Sequence, residues 1–264
     1  MSERGRATWG REDALRYVAI GDSTVEGLED PGPDGVYVGW ADRLAHHLSR
    51  VSPGLTYANL AVRGMTAREV RTTQLDRALA LRPDVAVVVA GVNDVLRPRF
   101  DKQALRDDLF AMHAALNDAG ASVATFTMPD MARVAPLAVV LRGRLDALNE
   151  IVLEAADIYG TAVADLAAEP LSSDPALWHD DRLHANSEGH RRIALALAES
   201  LGVDAGDWRA PLPEVERHAL AAVVLRELAW VATHLAPWLW GRLRGRVPVE
   251  PVVCKRPDLV PVEH

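Results

Sequence analysis

A chemical reading of this chain begins at Ser23. It stands in Tyr17-Val18-Ala19-Ile20-Gly21-Asp22-Ser23-Thr24-Val25-Glu26-Gly27, where a short apolar run ends at a Gly-Asp-Ser turn followed by residues that can start a helix. A hydroxyl is thereby presented where a buried strand meets a loop, the edge at which open α/β sheets bind ligands. A serine hydroxyl is a weak nucleophile and needs a base, an acid that orients the base, and donors for the oxyanion it creates. Late in the chain, Trp178-His179-Asp180-Asp181-Arg182-Leu183-His184-Ala185-Asn186 places a carboxylate and an imidazole three residues apart. In a tight turn Asp181 can hold one ring nitrogen of His184 and leave the other for Ser23.

The donors come from two further segments. Asn59-Leu60-Ala61-Val62-Arg63-Gly64 puts Gly64 in the loop after a second apolar run, where the missing side chain lets a backbone N–H approach a ligand closely. Gly91-Val92-Asn93-Asp94 follows a third run directly, and the Asn93 carboxamide can donate to developing negative charge. With the Ser23 backbone N–H that makes a set of three, each worth roughly 3–4 kcal/mol where such donors have been removed.

Each fragment alone has a plainer reading. Gly-Asp-Ser is a common turn, and Asn93 and Gly64 are ordinary turn formers. Asp22 and Asp94 read as structural residues bonding their own loops. His179, Asp180, Asp181 and His184 can be read as a metal cluster, but nothing supplies further ligands at a recognisable spacing and no H-E-x-x-H is present. His190 is expected on a helix surface, and His46 and His47 are expected to face solvent.

Taken in order, Gly21-Asp22-Ser23, Gly64, Gly91-Val92-Asn93-Asp94 and Asp181-Arg182-Leu183-His184 resemble the blocks of the SGNH hydrolases, also called GDSL-type esterases and lipases. The resemblance spans about residues 16–201. It implies a flavodoxin-like three-layer α/β/α sandwich and ester hydrolysis through an acyl-serine. Ser23 resembles the nucleophile and first oxyanion donor, Gly64 and Asn93 the other two donors, His184 the base and Asp181 its orienting acid. Thr24 stands where the family name has Leu, a side chain outside the chemistry. The chain also lacks the second glycine of a G-x-S-x-G elbow, which argues against the α/β-hydrolase fold. No metal or organic cofactor is implied.

The elements that must position these residues are legible as an alternation. Apolar runs near 16–20, 56–60, 85–90, 122–127 and 161–165 predict five parallel strands, separated by helical patterns near 40–49, 69–81, 102–118, 139–159 and 187–201. The run Val85-Ala86-Val87-Val88-Val89-Ala90 has no polar alternation and is expected at the centre of the sheet, covered on both faces. Thr66-Ala67-Arg68-Glu69 reads as a capping box. The loop 28–39, rich in Gly, Pro and Asp, is expected to border the pocket.

Residues 1–205 therefore read as the hydrolase domain, and residues 206–264 as a linker, an amphipathic Trp-rich helix and a Pro-rich tail. In that helix Leu220, Val224, Leu228, Val231 and Leu235 share one face. Trp230, Trp238 and Trp240 lie near Arg242, Arg244 and Arg246, so residues 214–246 suit a homodimer contact or peripheral membrane contact. A formal net charge of −8, with no basic stripe to compensate for it over the first two hundred residues, argues against a nucleic-acid partner and leaves small neutral or weakly charged ligands open; the substrate that the resemblance implies is a small-molecule acyl ester. One cysteine, Cys254, excludes an internal disulfide, and residues 1–13 lack an apolar leader, so a cytoplasmic setting is expected. Transfer of the acyl group to a sugar or alcohol would use the same residues as hydrolysis. A non-catalytic binding protein on the same scaffold is the reading from a different class.

Overall fold

The computed structural model describes residues 14–213 and 253–263. The predicted Trp-rich helix lies outside the described residues. Five parallel strands, β1 (Arg16–Gly21), β2 (Thr56–Asn59), β3 (Val85–Val89), β4 (Ser122–Phe126) and β5 (Ala162–Ala164), lie in the order β5-β4-β3-β1-β2. All five residues of β3 are buried, as are Tyr17 to Gly21 of β1. Unbroken apolar runs of this kind are what strands covered on both faces require.

Between them run α1 (Ser23–Glu26), α2 (Gly39–Val51), α3 (Ala67–Ala80), α4 (Val92–Val95), α5 (Lys102–Asp118), α6 (Arg142–Tyr159) and α7 (Ser187–Ser200). α2 packs on α7 on one side of the sheet, and α3, α5 and α6 pack together on the other, completing three layers. The capping box forms as expected, with the Thr66 and Glu69 side chains each bonded to the other's backbone N–H. The expected helix over 139–159 starts later, because Pro136–Leu141 winds as a 3₁₀ helix. Leu137, Val139 and Val140 there are 54%, 53% and 80% exposed, so no apolar stripe commits the segment to an α-helical face.

The sheet has six strands rather than the expected five. β6 (Arg256–Pro261), from the Pro-rich tail, pairs antiparallel with β2, setting Tyr57 opposite Val260 and Asn59 opposite Arg256. Proline is tolerated there because an outer strand needs only half its donors. Lys255, the residue before the strand, anchors it: its half-buried ammonium donates to the Tyr37 and Val38 carbonyls and to the Asp42 carboxylate at 2.7–2.8 Å. The stretch after α7 also stays on the domain. Trp208 is 4% exposed, and Arg192 donates to the carbonyls of Trp208 and Ala210. Among the described residues no helix is long and apolar enough to cross a membrane.

The chain leaves β1 toward β2 on one side and reaches β3 on the other. That reversal opens a crevice at the carboxyl ends of β1 and β3.

Candidate active site

Ser23 sits in that crevice, as the first residue of α1. Gly21 ends β1 because a side chain there would meet the Val89 carbonyl oxygen at 2.2 Å, and the buried Gln74 amide replaces the lost strand partners by bonding both Gly21 N–H and C=O at 2.9 Å. Asp22 then caps α1, accepting from the Thr24 N–H at 3.0 Å and the Thr24 hydroxyl at 3.1 Å. Its second oxygen accepts from Asn93 Nδ2 at 3.1 Å. Asp22 is therefore structural, as expected, but it also joins the loop after β1 to the loop after β3.

Asn93 Nδ2 also donates to the Met65 carbonyl at 3.1 Å, so one carboxamide ties Ser23's loop, Gly64's loop and its own together. Asp94 reaches back to accept from the Ala67 N–H. Gly64 has a φ of 80°, and a side chain there would touch nothing within 4 Å; backbone conformation, not space, selects glycine. Glu26, absent from the candidate residues above, is buried and pairs with Arg63, accepting from its backbone N–H at 3.0 Å and from its guanidinium. This pins the loop carrying Gly64 onto the helix carrying Ser23.

The turn 178–185 closes through a bridge between Trp178 and Ala185 and a bond from His179 N–H to the His184 carbonyl at 2.9 Å. Within it Asp181 Oδ1 accepts from the backbone N–H groups of Leu183 and His184, and Oδ2 lies 2.6 Å from His184 Nδ1. His184 Nε2 lies 2.9 Å from Ser23 Oγ. Burial works against the charge on Asp181, but the bonds from the His184 ring and from these two backbone groups outweigh it and hold the carboxyl down at about 2. Asp181 is ionised near neutrality, so the ring proton belongs on Nδ1 and Nε2 is free to accept from the hydroxyl.

Glu29, Asp181 and His184 place a ligand-type atom each within 4.8 Å of one another. Two of the three are bonded to each other and His184 Nε2 faces Ser23, so a cation could bind only by displacing that row. Asp180 takes no part in this grouping.

His190 departs from its expected place on a helix surface. It is 2% exposed, with Nδ1 accepting the Trp40 N–H at 3.2 Å and Nε2 donating to the Leu28 carbonyl at 2.9 Å; α7 turns this side inward because α2 packs against it. His46 is exposed as expected, whereas His47 is half-buried. Burial pushes His190 and His113 each down to about 4, while an unfolded chain protonates both near 6.5. The unfolded state thus binds more protons between pH 6.5 and 4, and these two residues cost stability as pH falls through that window. Asp22 acts oppositely, since burial lifts it from 3.8 to about 6 and the folded state holds its extra proton below pH 6. In His113→Gln the unfolding free energy is expected to fall about 1.4 kcal/mol less per pH unit than in the parent between pH 6 and 4.5. Urea melts at stepped pH measure this, and parallel slopes would show that His113 does not stay neutral in the fold.

A cavity opens from Ser23 and His184, walled by residues of β4, α6 and α7 among others. Trp40, Phe126, Met128, Leu145, Leu166 and Trp208 are among its walls, with Trp40 and Phe126 packed edge to face at 5.6 Å. Its volume is about 70 Å³. The loop 28–39 does not line it, contrary to expectation; Trp40, just beyond that loop, does.

These features are similar to those of known proteins. The chain matches the GDSL-like Lipase/Acylhydrolase family over residues 19–192. No curated protein matches it by sequence. Among solved structures it is similar to LAE5, an alpha/beta hydrolase enzyme from the metagenome of Lake Arreo, Spain, with a TM-score of 0.61 and 21% identity over 76% of this chain and 98% of that one. It is similar to Axe2, an acetylxylan esterase from Geobacillus stearothermophilus, with a TM-score of 0.60 and 21% identity over 74% and 95%. A lipase/acylhydrolase from Enterococcus faecalis aligns with a TM-score of 0.57 and 20% identity over 71% and 96%. With the family pattern matched across most of the α/β domain, and Ser23, Asn93 and His184 gathered at one end of its sheet, the chain belongs to the GDSL-like lipase/acylhydrolase family.

Proposed function

We propose that this ester hydrolase cleaves esters of aliphatic acids through an acyl-serine formed on Ser23. The observation that carries the reading is the row Asp181–His184–Ser23, at 2.6 and 2.9 Å, opening directly into an apolar cavity. Ser23 Oγ attacks the ester carbonyl while His184 Nε2 takes its proton, and Asp181 steadies the imidazolium. The oxyanion is held by the Ser23 and Gly64 backbone N–H groups and by Asn93. Asn93 must lend a hydrogen now shared with Asp22 or Met65, so its bond to the oxyanion forms as the charge appears. His184 then protonates the departing alkoxide, and water attacks the acyl-serine by the same route.

The cavity's apolar walls favour a polymethylene chain over a polar acyl group. Each buried methylene is worth about 0.8 kcal/mol, roughly fourfold in binding. The kcat/KM for p-nitrophenyl octanoate is therefore expected to exceed that for the acetate by at least about tenfold, after allowing for incomplete burial. Octanoic acid rather than a new ester is the expected product when glycerol is present. Equal rates on both esters would remove the aliphatic reading while leaving ester hydrolysis in place.

A further inference from the structure

Resting on the reading of His184 as the base, we infer that Glu29 is a positioning residue that sets a second carboxylate charge beside His184. Glu29 has a φ of 67°, a left-handed conformation that disfavours a residue with a Cβ. Both neighbours hold it there. The Leu28 carbonyl is taken by His190, and the Asp30 carboxylate by Arg43 and the Gly39 N–H. With its backbone fixed, the Glu29 side chain reaches the turn 178–185. One of its oxygens lies 3.3 Å from His179 Nε2. A carboxylate oxygen of Glu29, one of Asp181 and a ring nitrogen of His184 all lie within 4.8 Å of each other.

His179 is the strut between them. Its Nδ1 accepts the Asp181 N–H at 3.4 Å, which leaves its proton on Nε2 to face Glu29. The titratable groups around the His184 ring are thus Asp181 and His179 of its own turn, Glu29 after α1, Asp22 at the start of α1, and His190 on α7. Glu29 adds negative charge at a distance where it favours the imidazolium that forms as Ser23 attacks. Its carboxylate is about a third exposed, so solvent screening keeps the effect modest.

Glu29→Gln separates charge from shape, because the glutamine oxygen can still accept from His179. The acid limb of the kcat/KM profile for p-nitrophenyl octanoate is expected to move down by about half a pH unit, with a plateau loss of about two- to fivefold. Glu29→Asp keeps the limb at the parent position. In an Asp181→Asn background, where Glu29 and the buried Asp22 are the carboxylates left near His184, Glu29→Gln costs at least about tenfold more. The His184 Cε1 proton, followed by NMR across the same pH range, gives the titration midpoint without turnover. A midpoint that falls in Glu29→Gln while the protein hydrolyses nothing would keep Glu29's placement and overturn the esterase reading. An acid limb and an NMR midpoint that both stay put in Glu29→Gln would overturn the inference itself.

Discussion

Ser23→Ala is expected to fold normally and to turn over p-nitrophenyl octanoate about 10⁴- to 10⁶-fold more slowly, the loss seen when a hydrolase's nucleophile is removed. The expectation of normal folding has a local basis. The Ser23 side chain bonds His184 Nε2, while the cap of α1 is built by the Asp22 carboxylate and the Thr24 N–H and hydroxyl. Alanine is also readily accommodated in a helix. Circular dichroism and a thermal melt should overlay those of the parent. A fluorophosphonate probe should add its mass to the parent at Ser23 and leave the variant unlabelled. Activity above about one hundredth of the parent level would mean that another group attacks the ester, and acyl chemistry at Ser23 would be wrong.

Asn93→Ala is expected to lower kcat by about 10²–10³ with little change in KM, as for other side-chain donors that act mainly in the transition state. A second consequence distinguishes it from Ser23→Ala. Removing the carboxamide deprives a buried Asp22 oxygen and the Met65 carbonyl of a donor, which is expected to cost about 1–3 kcal/mol of stability. Burst kinetics and a urea melt on the same preparation separate the two losses. A lowered melt with undiminished kcat would make Asn93 a strut between loops and leave the oxyanion to the backbone donors alone.

The five parallel strands and most helices were legible because their signals are local. The all-apolar run at Val85 to Val89 and the capping box at Thr66 each follow from a few adjacent residues. β6 was hidden because two prolines in Arg256–Pro261 argue against a strand, and only the free edge of β2 makes that segment one. The row from Ser23 to Asp181 was legible for a different reason: four blocks matched a family pattern in order. Glu29, Glu26 and His190 were not. Glu29 meets a turn some 150 residues away, Glu26 is buried only because Arg63 crosses to it, and His190 faces inward because α2 comes to lie on α7. No spacing in the chain encodes such meetings.

The late strand β6 also bears on how the protein is made. Tyr57 and Asn59 leave the ribosome roughly two hundred residues ahead of the segment that covers their free edge, and at about 5–20 residues per second that interval lasts some tens of seconds at the slow end. Throughout it the nascent sheet offers an open row of amides and carbonyls, the kind of template on which neighbouring polypeptides aggregate.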